Sequence, residues 1–287
     1  MKIFEKNKQF LSKNDLNIIK AFKRGKIWTV GHYGPSGTGK TTKLLAIAGA
    51  LGLPVHKVVG SRNIDEAYLF GKYILKNGET VFQYGPLSLA MKNGGMFIFD
   101  EINMIDGDVL SSLNDVLDNT RTKVLENGEV INCHKNFRFA ESMNIGYSGT
   151  NEMNLSHKSR IQTKVKISKI PLETMTDIVV KETGINRNLA SRMCSMIDKI
   201  NNIISTSENG DVTTQRIDIR NIINWANMSI DLEGDIIEAS LTTVISALTE
   251  DDSDIENTGI EETINCDDDN VALDVLNAIM EEFETNN

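Results

Sequence analysis

One octapeptide limits the folds open to this chain more than any other stretch: Gly34-Pro35-Ser36-Gly37-Thr38-Gly39-Lys40-Thr41. It meets the pattern G-x-x-x-x-G-K-[ST] at every fixed position. Lys26 to Val30 before it reads as a short buried strand, and Thr42 to Gly49 after it reads as the start of a helix. Strand, glycine loop and helix in that order are the setting this motif requires, and they leave little room for a chance glycine turn. The glycines let successive backbone N–H groups converge on phosphate oxygens, reinforced by the positive end of the helix dipole. Gly34 to Thr41, together with Thr42, are therefore the expected nucleotide-binding residues. Lys40 would reach the β- and γ-phosphates of ATP, and the Thr41 hydroxyl would ligate Mg²⁺.

The second feature is Met96-Phe97-Ile98-Phe99-Asp100-Glu101. Four apolar residues in a row suit a central parallel strand buried on both faces. The two acids then fall at its C-terminal end, where ligands bind in open α/β sheets. They stand some sixty residues beyond the glycine loop, near the spacing of many phosphate-loop ATPases. That gives Asp100 the role of holding Mg²⁺ and Glu101 that of polarising the attacking water.

The rest of the chain falls into elements around these two. Residues 13–24 carry helical spacing in Leu16, Ile19 and Phe22, with Asn14 as N-cap. Val55 to Val59 is a second strand. Asn77-Gly78 and Asn127-Gly128 each predict a two-residue turn closing a hairpin, over 73–84 and 123–132. Val109, Leu110, Leu113, Val116 and Leu117 predict one helix face. Phe137 to Asn144 and Lys164 to Ile170 predict two further strands. Beyond Pro171 the pattern becomes helical over Leu172–Lys181, Asn188–Ile204, Asp218–Asn227 and Asp235–Leu248. Val271–Phe283 is an amphipathic helix, expected to dock within its own assembly.

Charge separates the halves of the chain. Residues 1–220 hold all 30 Lys and Arg against 22 acids, and residues 221–287 hold 18 acids and no base. The basic body allows nucleic acid as a partner, although no basic patch interleaved with aromatics stands out. Ten of the acids fall in 249–270, which reads as a mobile linker. Cys133, Cys194 and Cys266 lie far apart without metal-ligand spacing, which suggests a reducing compartment and no disulfide framework. No run is long enough to span a bilayer and no signal-peptide core opens the chain, so a cytoplasmic location is the expectation.

Together these pieces resemble an AAA+ ATPase, and the two hairpins resemble the inserts that mark its MoxR and dynein-related branch. Several stretches are similar to its CbbQ/NorQ/GvpN/CobS-like members. They are Phe82 to Gly95 (FQYGPLSLAMKNGG), Asp100-Glu101-Ile102-Asn103, Leu113-Asn114 with Leu117-Asp118, and Met143 to Thr150 (MNIGYSGT). The resemblance covers about residues 15–230. It implies an α/β fold: a phosphate-loop NTPase αβα sandwich with two inserted β-hairpins, followed by a small all-helical lid. The matching bounds are 1–170 for the ATPase core, 171–248 for the lid, 249–270 for the linker and 271–287 for the C-terminal helix.

The resemblance also assigns residues. Asn144 matches sensor 1, which positions the attacking water. Arg160 matches the arginine finger lent to a neighbouring subunit, where the residues alone suggest only a surface salt bridge. Arg220, in Arg220-Asn221-Ile222-Ile223-Asn224-Trp225, matches sensor 2, with Arg216 as its competitor because Asp218-Ile219 replaces the usual Ser-Thr. Glu141-Ser142 departs from the common Ala-Thr, and Ile161 stands where Phe is frequent. The implied function is a ring-forming, most often hexameric, Mg²⁺-dependent ATPase. It would act as a MoxR-like chaperone on a separate protein, often one with a von Willebrand factor A domain. Two alternatives stand beside it: a nucleic-acid motor subunit of the kind found in restriction complexes, and a nucleotide-gated assembly factor with little turnover.

Overall fold

The computed structural model describes residues 11–145, 155–206, 216–248 and 271–284. The expected linker 249–270 and the Gly146–Thr150 part of the family segment lie outside them. The chain divides into two compact units, Met1–Ser168 and Lys169–Asn287.

The first unit is built on a five-stranded sheet, parallel throughout. Its strands are β1 (Thr29–Gly34), β2 (Val55–Val59), β5 (Met96–Asp100), β8 (Arg138–Asn144) and β9 (Thr163–Lys166), in the order β2-β5-β8-β1-β9. β5 is central and its apolar run divides by alternation. Phe97 and Phe99 enter one core with Phe139 and the helices Glu66–Phe70 and Pro86–Asn93. Met96 and Ile98 enter the other with Val30 and the helices Lys13–Arg24 and Lys40–Leu51. All four β5 side chains are fully buried. At about 1.5–3 kcal/mol for each large apolar side chain, this strand anchors the layers and fixes where Asp100 emerges.

Details differ from the sequence pattern. The strand expected at Lys26–Val30 runs instead from Thr29 to Gly34, because parallel pairing with β8 continues to Asn144. The first helix is capped by Ser12 rather than Asn14, through a capping box with Asp15. Asp15 and Ile18 are buried there while Leu16 is 49% exposed. The hairpin β3 (Gly71–Lys76)–β4 (Glu79–Tyr84) turns on Asn77 and Gly78, both at positive φ, as a two-residue turn requires. The second, β6 (Thr122–Val124)–β7 (Val130–Asn132), does not. Only Gly128 has positive φ, and Leu125 N–H bonds to Glu129 O across a three-residue loop. The helix expected after Glu101 is broken into Ile102–Met104, Gly107–Ser112 and Asn114–Leu117, so that Leu110, Leu113, Val116 and Leu117 can all face the Phe97 core.

The second unit is helical: Leu172–Thr183, Arg187–Thr206, Ile219–Asp231, Ile236–Ser240 with a π-helical turn at Leu241–Ile245, and Val271–Glu284. The π turn interrupts the single helix expected over 235–248. The last helix docks on its own chain, sinking Val275, Leu276, Ile279 and Phe283 into the core around Trp225. Phe283 meets the Trp225 ring edge-on, and Arg192 lies over Phe283. No helix among the described residues is long and apolar enough to cross a membrane.

Candidate nucleotide-binding site

β1 delivers the chain to Gly34, and the helix Lys40–Leu51 begins six residues later. Gly37 and Gly39 occupy the left-handed region, at φ 67° and 76°, where a side chain would be strained. Gly39 is the N-cap and contributes no side-chain bond, and the N-terminus of a helix that follows a glycine loop suits an anion. Thr38 Oγ1 donates to Pro35 O at 2.9 Å and closes the loop. Lys40 is 7% exposed, and its Nζ donates to Gly34 O at 3.1 Å and Pro35 O at 2.5 Å. Its ammonium therefore sits across the mouth of the loop.

Thr41 and Asp100, far apart in sequence, meet here: Thr41 Oγ1 donates to Asp100 Oδ1 at 2.7 Å. Ser142 Oγ donates to the same oxygen, and Lys57 Nζ bridges to Oδ2 at 2.8 Å. Burial pushes the Asp100 carboxyl up, but the bonds from Lys57, Ser142 and Thr41 outweigh it and hold the group below the ordinary carboxylate range. A hydroxyl and an ionised carboxylate side by side are the hard oxygen donors that Mg²⁺ takes from protein, so this pair fits the ion.

Glu101 follows at φ 54°, ψ 46°, a left-handed conformation costing about 1–3 kcal/mol for a residue with a side chain. The turn aims its carboxylate at Asn144, whose Nδ2 donates to Oε1 at 3.1 Å. Asn144 is held in turn, since Asn103 Nδ2 donates to its carbonyl at 3.1 Å. Lys40, Thr41, Asp100, Glu101 and Asn144 thus gather at the C-terminal ends of β1, β5 and β8.

Arg160 does not join them. Its carbonyl accepts from Thr29 Oγ1 at 3.2 Å, which places it at the opposite end of β1 from Gly34. Its guanidinium forms a two-pronged pair with Asp118, Nε–Oδ1 at 2.9 Å and Nη2–Oδ2 at 3.2 Å. Arg220 and Arg216 belong to the second unit. Arg220 opens the helix Ile219–Asp231 and pairs with its N-cap, Nη2–Asp218 Oδ2 at 2.6 Å.

Three participants escaped the sequence pattern. No motif marks Lys57, and only the β2–β5 register (Lys57↔Ile98) brings it to Asp100. Ser142 was visible only as a departure in strand packing, whereas its hydroxyl serves Asp100. Asp118 stood in the L-N-x-x-L-D stretch without a role.

Comparison with known proteins agrees with this architecture. Residues 33–161 match the AAA domain of the dynein-related subfamily. An uncharacterised protein of Staphylococcus haemolyticus is 30% identical over 204 residues, covering 68% of this chain and 75% of that protein. Protein NorQ of Paracoccus denitrificans is 27% identical over 224 residues, covering 76% of this chain and 79% of NorQ. Among solved structures, a mutant of Thermotoga maritima RuvB superposes with a TM-score of 0.52 at 16% identity, over 84% of this chain and 72% of that one, a likeness of fold. An intact glycine loop, an acid pair on the central strand and relatives of this extent lead to one conclusion: the chain is a nucleotide-binding ATP hydrolase of the AAA+ family, in its MoxR-like, dynein-related branch.

Proposed function

We propose that this ATPase works as a ring in which each subunit completes its neighbour's active site, and that turnover remodels a separate partner protein. The observation that carries the reading is the separation of Arg160 from the glycine loop. β1 spans five residue steps from Thr29 to Gly34, about 17 Å at ~3.3 Å per residue. An arginine side chain cannot cover that distance, so an Arg160 that acts on phosphate acts on another subunit's phosphate.

Within one subunit, the first-turn N–H groups and Lys40 cradle and neutralise the β- and γ-phosphates of ATP. Thr41 and Asp100 hold Mg²⁺, which supplies further charge neutralisation. Glu101, fixed by Asn144, orients and polarises the attacking water. Arg160 of the neighbour offsets the charge that spreads over the transferring phosphoryl group. Arg220 of the helical unit is the sensor 2 candidate, ahead of Arg216, because Trp225 of the same segment is buried in that unit's core and fixes the helix. The two hairpins are the elements we expect to move against the partner, for which a von Willebrand factor A-domain protein is the implied class.

The test is the turnover of Arg160→Ala. The reading predicts a loss of about 10³-fold in kcat with nucleotide affinity unchanged, the size expected for a missing arginine finger. Turnover equal to that of the unaltered protein would remove the shared-site reading.

A further inference from the structure

Among the described residues the helix that carries Arg160 runs over Leu155–Arg160, a stretch that needs tertiary support to persist. Only one of its side chains is buried, His157, while Leu155 is 82% exposed. The hold on the sheet is polar: His157 Nε2 lies 2.7 Å from Glu141 Oε2 on β8. Glu141 is fully buried, and its other oxygen accepts from Tyr33 Oη at 2.5 Å. Burial, then the Glu141 charge, raise the Tyr33 phenol far above its ordinary value, so Tyr33 remains a donor. Glycine at position 31 makes this contact possible, because a Cβ there would stand 2.3 Å from Tyr33 Oη.

The strands involved are those of the active site. Tyr33 immediately precedes the glycine loop, and Glu141 lies three residues before Asn144. Resting on the shared-site reading above, we infer that Tyr33, Glu141 and His157 are positioning residues: they tie the Arg160 helix to the strands that hold this subunit's own nucleotide. The finger offered to one subunit is thereby set by the site of the next. A buried carboxylate is costly unless its partners are well placed, and apolar packing would cement the helix at lower cost. A polar tie adds direction, which an arginine finger needs.

Mixed assemblies separate finger placement from folding. Arg160→Ala subunits keep their own site but cannot serve a neighbour, and Lys40→Ala subunits turn nothing over but still offer Arg160. Mixing the two should restore turnover; if it does not, the shared-site reading itself is wrong. Lys40→Ala donors carrying His157→Leu or Glu141→Ala should then restore about 10- to 100-fold less turnover, the scale of an ångström-size misplacement. A donor carrying Glu141→Gln, which can still accept from Tyr33 and donate to neutral His157, should restore it within about threefold, since its hydrogen bonds are kept. Equal rescue by the His157→Leu and Glu141→Ala donors would overturn the inference. So would failure of both to enter the assembly, measured by light scattering, because the residues would then be a structural pin.

Discussion

The two units use polar groups in opposite ways. In the first, charged side chains lie inside the fold: Lys40 and Glu141 are buried and the Asp100 side chain is 14% exposed. Each is satisfied by partners from other strands or from the loop. In the second, the core from Val179 to Phe283 is apolar, and ion pairs among its described residues lie at the surface, as Lys169 with Asp198 and Arg187 with Asp177. Arg220 there is 71% exposed. Buried charge is costly and is kept where chemistry uses it; a helical core without it is stable but chemically plain. The first unit is therefore the place to look for catalysis, and the second for movement and support.

The sharpest way to break this contrast is to alter chemistry in the first unit without altering shape. Glu101→Gln should lower kcat by about 10²–10⁴-fold, as loss of a general base does, while fluorescent-nucleotide titration shows unchanged binding. A loss of binding instead would make Glu101 a structural residue. The matching change in the second unit is Trp225→Ala. Trp225 is fully buried, packs on Phe283 and donates from Nε1 to Ile236 O at 2.8 Å. Its truncation should cost about 3–5 kcal/mol, lowering the melting transition of the helical unit in calorimetry. A single transition shifted for the whole chain would show that the two units unfold together.

The smallest expected effect sharpens the role of Lys57. The folded Asp100 carboxyl sits below its ordinary value, with Lys57 first among the groups that lower it. A depressed carboxyl stabilises the fold above the unfolded pKa, near 3.8, and that stability is lost as pH falls through the lower folded value. Lys57→Met should raise the folded value and so move the acid-unfolding midpoint to higher pH. An unmoved midpoint in a circular-dichroism titration would mean that Thr41 and Ser142 hold Asp100 without it.

Much of this site could be read in the sequence because its residues sit at strand ends that local pattern marks. The glycine loop needs positive φ at Gly37 and Gly39, and the run from Met96 to Phe99 reads as a buried strand. The Asn77-Gly78 turn follows from the same local chemistry. What could not be read depends on register between strands distant in sequence. Lys57 reaches Asp100 only because β2 lies beside β5, and Glu141 meets Tyr33 because β8 lies beside β1. The second hairpin departs from its local pattern for a related reason. Asn127-Gly128 suits a two-residue turn, but pairing of Val124 with Val130 leaves a longer loop and puts only Gly128 in the left-handed region. Arg160 was placed by resemblance, and its pairing with Asp118 is also what an ordinary salt bridge would show.

The central claim is that the active site is shared between subunits. It is tested most directly by turnover per subunit as the unaltered protein is diluted with saturating ATP and Mg²⁺, with mass followed by light scattering. The account predicts that turnover per subunit collapses together with the assembly, by about 10³-fold once subunits are separated and Arg160 is withdrawn. Constant turnover per subunit down to the monomer would contradict it.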